Sequence, residues 1–359
     1  MAKEIPEVGI GLAMSGGGYR AMLFHLGGLW RLQELDLLKA IDRFSSVSGG
    51  AITSAKLGLE WDRIGSTSDF KERVVGPIRS LASKTIDRGS IIGGVLFSGS
   101  AADRISSHYA ERLFGSATLQ DLPDQPRFIF NATNVETGLL WRFSKPYMGE
   151  YSIGRVSNPS VSLADAVTAS SAFPPVLSPF ILDVEPDEFD LADGVELDPF
   201  RSEIMLTDGG VYDNLGLETV VKRYQTVLVS DAGGAISRDH SPASDWARHT
   251  RRVLDIIHAQ AASQRKRRLI EMMQAGAREG AYWGIGTNIA HFELSDAFPV
   301  PVQRSTELAQ TRTRLRRMGA KLQDRIINWG YAVSDASIRR HWKLDAAKPS
   351  SLPYPESGI

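Results

Sequence analysis

Apolar positions along this chain follow two rhythms, and each change of rhythm marks an element. VGIGLAM at 8–14 is an unbroken apolar run closed by glycines, which predicts a short strand buried on both faces. From 21 to 38 the rhythm turns helical: Met22, Leu26, Leu29, Trp30 and Leu38 keep mostly to one side. The plan then repeats, with a strand at 44–47, a turn at Ser48-Gly49-Gly50 and a helix at 51–59. Two strand–glycine turn–helix units in succession predict an α/β fold, a mostly parallel central sheet flanked by helices, working at the C-terminal ends of its strands. Residues 60–125, weaker in pattern and rich in Gly and Ser, read as a helical insertion. RFIFNATNVETGLLWRFS at 127–144 predicts two strands joined at Glu136-Thr137-Gly138. MLTD at 205–208 and TVLVSDAGG at 226–234 predict further strand ends, each with an aspartate followed by glycines. The last third reads as mainly helical and closes with one long helical segment over 305–332. There Leu308, Leu315, Leu322 and Trp329 recur every seven residues, with Met318 and Ile326 beside them.

Composition narrows the field. The 359 residues suffice for one large domain or two small ones; the expected division, whose first bounds rest on the resemblance described below, is a core at 8–234 and a mainly helical part at 235–345 packed on it. A net charge of −1 carries no polycationic signature, so no nucleic-acid partner is expected. The absence of cysteine excludes disulfides, thiolate metal sites and a cysteine nucleophile, and fits the cytosol. MAKEIPEVGIGLAMSGGG lacks the basic start and apolar core of a signal peptide, because Glu4, Pro6 and Glu7 interrupt it. The apolar run IIGGVLF at 91–97 is far too short to span a bilayer. The expected location is the cytoplasm, with at most peripheral contact at a membrane. Residues 183–198 hold eight acids, but their spacing is not that of a calcium loop and reads as solvated surface. No HExxH motif occurs, and neither metal nor cofactor is expected.

The chemistry concentrates at the glycine turns. In SGGGYRA, 15–21, the glycines let backbone approach a ligand while the following helix points unpaired N–H groups at the same spot. Gly16-x-Gly18-x-x-Ala21 also satisfies a dinucleotide fingerprint, so a nucleotide-binding Rossmann-like module is an alternative. That reading needs an acid at the end of the second strand; Asp42 lies before the strand, which ends in Ser46-Val47-Ser48. FSSVSGGAI, 44–52, matches the G-x-S-x-G nucleophile elbow in its central serine, the glycine two residues later and its strand–turn–helix context, with Ser46 in place of the first glycine. Ser48 is the candidate nucleophile, although alone the motif reads as an ordinary glycine turn. A base is less evident. None of the seven histidines stands by a glycine-marked strand end, and His25 falls inside the first helix. Asp208 does stand at one, yet a carboxylate with a pKa near ~4 is a poor base at neutral pH unless held against the hydroxyl.

SGGGYR, SVSGGA, ASSAFPPVLSP and DGGVYDNLG, in this order, resemble the signature blocks of the patatin-like phospholipase family, bacterial branch. The resemblance runs from about 8 to 234 and implies a modified α/β-hydrolase sandwich. It also implies a serine acyl hydrolase that works through an acyl-enzyme with a Ser–Asp dyad, on phospholipids or lysophospholipids. By resemblance Ser48 is the nucleophile, Asp208 its base, and the N–H groups of Gly17 and Gly18 the oxyanion hole. Gly16, Arg20, Gly50, Gly209 and Gly210 support them, with Arg20 bracing the loop, and Asn214 occupies a family position after the DGG block. Ala21 and Ser46 stand where the family commonly has glycine; both are small. A catalytically inactive lipid-binding scaffold is a further alternative, whose mark would be loss of Ser48 or Asp208. Peripheral membrane contact is expected through QRKRR at 264–268, or through Arg312, Arg314, Arg316, Arg317 and Lys321. Against this, the apolar stripe beside those arginines reads as packing on the sheet, with the arginines its solvated face.

Overall fold

β1 (Glu7–Met14) starts exposed and ends fully buried, as its apolar second half requires. The computed structural model describes residues 6–86, 101–175, 177–190, 198–234, 236 and 238–359. The apolar stretch 91–97 and residues 191–197 of the acidic stretch lie outside them. β1 is flanked by β10 (Tyr224–Asp231) and β2 (Arg43–Ser46), and parallel pairing continues to β11 (Glu279–Gly284) on one side and β3 (Arg127–Asn134) on the other. These strands form the parallel centre of the sheet, in the order β11-β10-β1-β2-β3. Beyond β3 the sheet turns antiparallel through β4 (Leu140–Phe143), β5 (Tyr147–Glu150), β6 (Gly154–Ser157) and β8 (Phe189–Asp190). The β3–β4 pair is the hairpin expected over 127–144; Gly138, at φ 71°, turns it. β7 (Phe180–Asp183) pairs with β9 (Glu203–Asp208), and β9 with β3, both antiparallel.

The longer helices are α1 (Gly18–Glu34), α2 (Gly49–Leu59), α3 (Ala101–Tyr109), α4 (Leu163–Ser170), α5 (Trp246–Gln274), α6 (Val302–Ala309) and α7 (Ala320–His341). α1 and α2 follow β1 and β2 directly, as the repeated plan predicts. α1 differs from the one-sided helix expected, because every residue from Gly18 to Gln33 is buried. The sheet covers one face and α7 the other. Where the two helices cross, a methyl group on Gly27 would lie 2.1 Å from the Ile327 carbonyl oxygen, and one on Gly330 2.1 Å from that of Phe24. Polar residues buried in α1 have partners from afar: Arg31 pairs with Asp335 at 2.9 Å, and His25 sits between Ser230 Oγ and the Ser15 carbonyl.

The long helix expected over 305–332 is broken. α6 ends at Ala309 and α7 starts at Ala320, because backbone groups between them bond outward. The Arg314 carbonyl accepts from the Tyr19 N–H (3.1 Å), the Leu315 carbonyl from Ile86 (2.9 Å), and the Met318 N–H donates to the Ala82 carbonyl (2.8 Å). A continuous helix would have consumed these groups internally. The apolar stripe is interior all the same: Leu308, Leu315, Met318, Ile326 and Trp329 are buried, while Arg312, Arg314, Arg316 and Arg317 are exposed. Among the described residues no helix is long and apolar enough to cross a membrane, and no cluster of metal-ligating side chains occurs.

Candidate active site

Two strands meet end to end along one edge of β3. Phe130 pairs with both Ser46 of β2 and Phe143 of β4, so those strands flank β3 on opposite sides. Ala132 pairs with Trp141 of β4 and with Asp208 of β9, which puts β9 on the side of β2. β2 runs parallel to β3 and stops at Phe130; β9 runs against it and stops at Ala132. The strand ends lie two positions apart along β3, roughly 7 Å at strand rise. Asn131 lies in that gap, and its side-chain amide donates to Ser45 Oγ and the Ser46 carbonyl, each at 3.0 Å.

Ser48 caps the end of β2. Its backbone sits at φ 51°, ψ −117°, a conformation costly to a residue with a Cβ. The surroundings hold it there: the Val47 N–H donates to the Met14 carbonyl (3.1 Å) and the Ser48 N–H to Ser170 Oγ (3.0 Å). Ser170 in turn donates to the Asn131 carbonyl at 2.7 Å. Ser46, the residue that replaces the elbow's first glycine, fits because its hydroxyl is absorbed by the Ile129 carbonyl at 3.1 Å.

Asp208 faces Ser48 from the end of β9. Burial pushes its carboxyl up to about 7, and hydrogen bonds from the Gly210 N–H and the Ser48 hydroxyl offset this only in part. The Gly210 bond is 2.7 Å long. The glycine loop closes the third side. Gly16 has no room for a side chain, since a Cβ would stand 2.5 Å from Asn214 Oδ1 and 3.3 Å from Ser48 Cβ. Gly17 and Gly18 adopt φ 146° and 60°. Among the described residues their N–H groups donate to nothing, whereas those of Gly16 and Tyr19 are taken by the Asn214 and Arg314 carbonyls. Arg20 is buried behind the loop, where its guanidinium donates to the Ala232 and Thr311 carbonyls. Burial lowers its pKa to about 10, opposed by the charge of Asp231. It ties two loops to the start of α1.

These groups open into a cleft of about 740 Å³. Phe173, Pro174, Leu177 and Ile236 give one part of its wall, and Arg251, Arg252, Arg312 and Arg314 another. Of the histidines, His25 is buried, and burial lowers its pKa to about 4, so it is neutral. Its Nε2–H donates to the Ser15 carbonyl, which makes it part of the core. His258 does line the cleft, a position without any mark in the sequence pattern, and burial lowers its pKa, opposed by Asp255. Among the described residues it makes no hydrogen bond to Ser48 or Asp208. α5, which carries it, has only Leu269 buried, so no apolar stripe marked this helix as part of a site. In the basic stretch 264–268, Arg265 and Lys266 turn inward to Asp213 (3.4 Å) and Asp231 (2.8 Å), which leaves the exposed Arg267 and Arg268 as its outward charges.

The family model of the patatin-like phospholipase matches residues 12–221. An uncharacterized NTE family protein of Mycobacterium tuberculosis is 28% identical over 215 residues, which is 60% of this chain and 28% of that protein. The chain therefore spans little more than a quarter of that relative's length. Among solved structures, human GIVD cytosolic phospholipase A2 in complex with methyl gamma-linolenyl fluorophosphonate is similar at 14% identity and a TM-score of 0.49, over 94% of this chain and 58% of that one. VipD from Legionella pneumophila is similar at 16% identity and a TM-score of 0.32, over 86% and 66%.

Proposed function

The chain belongs to the patatin-like phospholipase family, and we propose that it is a lipid acyl hydrolase in which Ser48 and Asp208 form the catalytic dyad. The observation that carries this reading is the convergence of Ser48 and a buried Asp208 on one cleft, beside N–H groups of Gly17 and Gly18 that donate to nothing among the described residues. Ser48 Oγ attacks the ester carbonyl carbon as its proton passes to Asp208. The raised pKa of Asp208 makes this carboxylate a far better proton acceptor than an ordinary one. Charge on the carbonyl oxygen is met by Gly17 and Gly18, whose donors are fixed before the reaction by the start of α1 and the Arg20 brace. Asp208 then gives its proton to the departing alkoxide. Water, activated by the same carboxylate, releases the fatty acid and restores Ser48.

Phospholipids or lysophospholipids are the proposed substrates, since the cleft pairs an apolar wall for an acyl chain with arginines for a phosphate head group. A fluorophosphonate, the class of compound in the human relative's complex, is a probe suited to this chemistry. It should label the wild type and leave Ser48→Ala unlabelled, with the variant still folded, and a mixed lipid panel should yield free fatty acids with the wild type alone. Labelling that persists at another serine would refute the assignment.

A further inference from the structure

At the edge of the sheet opposite Ser48, where β1, β2, β3 and β10 begin, lies a second cavity of about 560 Å³. Its walls carry Arg43, Arg127, Arg142, Arg155, Lys222 and Arg223, with only Glu7 and Glu218 as carboxylates. Both acids are engaged: Glu7 pairs with Arg223 at 2.9 Å and Glu218 with Lys222 at 2.8 Å. Arg43, Arg127, Arg142 and Arg155 form no ion pair among the described residues. Arg43 is only 6% exposed; one of its terminal nitrogens donates to the Thr219 carbonyl at 3.1 Å, and its Nε has no partner. The Nε groups of Arg127 and Arg142 are likewise buried without an acceptor. Arg43 and Arg155 stack on Tyr224 and Tyr147, at 5.4 and 4.7 Å from the ring centroids. Stacking uses the face of a guanidinium and leaves its in-plane N–H groups for a ligand. Burial above all disfavours the charged form of Arg43, opposed by Tyr224 and Tyr147 and reinforced by the like charges of Arg223 and Arg127.

Buried donors without acceptors and unpaired like charges each cost stability, and a multiply charged anion relieves both. Guanidinium forks match the oxygens of phosphate in pairs. We propose that this cavity is a second ligand site, separate from the catalytic cleft, that binds a phosphate-bearing polyanion. The inference is independent of the acyl-hydrolase reading, because no residue is shared.

Isothermal titration of the full chain with inorganic pyrophosphate tests it, beside sedimentation with phosphatidylcholine vesicles with and without phosphatidic acid. Pyrophosphate should bind saturably to the wild type and equally to Ser48→Ala. Binding to the double variant Arg142→Gln, Arg155→Gln should weaken by at least about tenfold, since a lost hydrogen bond to a charged group costs on the order of that factor. Binding of pyrophosphate alone would identify a soluble phosphorylated ligand. Arginine-dependent binding of the phosphatidic acid vesicles alone would identify a lipid head group; either outcome supports the site. Should circular dichroism show the double variant unfolded, the exposed Arg155→Glu decides by the same criterion. Failure of both probes with the wild type, or undiminished binding by a folded variant, would overturn the proposal.

Discussion

In the proposed mechanism Asp208 burdens the fold for the same reason that it serves as a base. Its carboxyl is held near 7 by burial, far above the 3.8 of an exposed aspartate. Between those values the folded chain binds a proton that the unfolded chain has released, so stability falls as pH rises through the window. Above about 7 the native state carries a buried, partly compensated charge. We therefore expect Asp208→Asn to melt at a higher temperature than wild type above that pH, the gap closing as the pH falls below it; melting curves on both sides check the sign. If the proposed dyad holds, the same variant should lose about as much acyl hydrolysis as Ser48→Ala, because paired catalytic groups act as a unit. In the wild type kcat/KM should rise with pH through about 7. His258→Asn should leave that limb in place, whereas its disappearance would make His258 the base.

At the scale of elements, the closest tolerance is the crossing of α1 and α7. With the Cβ of Gly330→Ala 2.1 Å from the Phe24 carbonyl oxygen, the helices can only move apart. Overpacking of this kind costs about 1–3 kcal/mol, which denaturant titration should read as a lowered midpoint with an unchanged slope. The elements that proved legible in the sequence are those whose signal is local: a strand run, its closing glycines, and the serine or aspartate between them. The order of β1, β2 and their helices, the 127–144 hairpin and the position of Asp208 at a strand end follow from such signals. What the sequence hid depends on partners distant along the chain. The apolar period runs unbroken through 310–319, but Tyr19, Ile86 and Ala82 take up the backbone there and end the helix. α1 looks one-sided until Asp335 and Ser230 account for Arg31 and His25. Single arginines on four separate strands form no motif, so the second cavity left no trace in the pattern.

At the scale of the whole molecule, α5 gives the cleft its outer face. Trp246, Leu254 and Ile257 of α5 are 83%, 59% and 59% exposed, close in sequence to Arg251 and Arg252 at the cleft wall. Apolar side chains beside arginines suit the surface of an anionic bilayer. Sedimentation with anionic vesicles should show reversible binding that weakens with salt, and Leu254→Ser, Ile257→Ser should reduce what binding persists at high salt. Binding indifferent to both salt and head-group charge would remove the arginines from this role. The end-to-end meeting of β2 and β9 also bears on how the chain folds. Ser48 and Asp208 come from distant parts of the sequence and come together only after β3 has accepted one strand in parallel and the other in antiparallel register. Pairings between remote segments form late, because closing the loops costs entropy before any contact repays it. A refolding chain should therefore gain helix and compactness first and reactivity toward a serine-directed probe last.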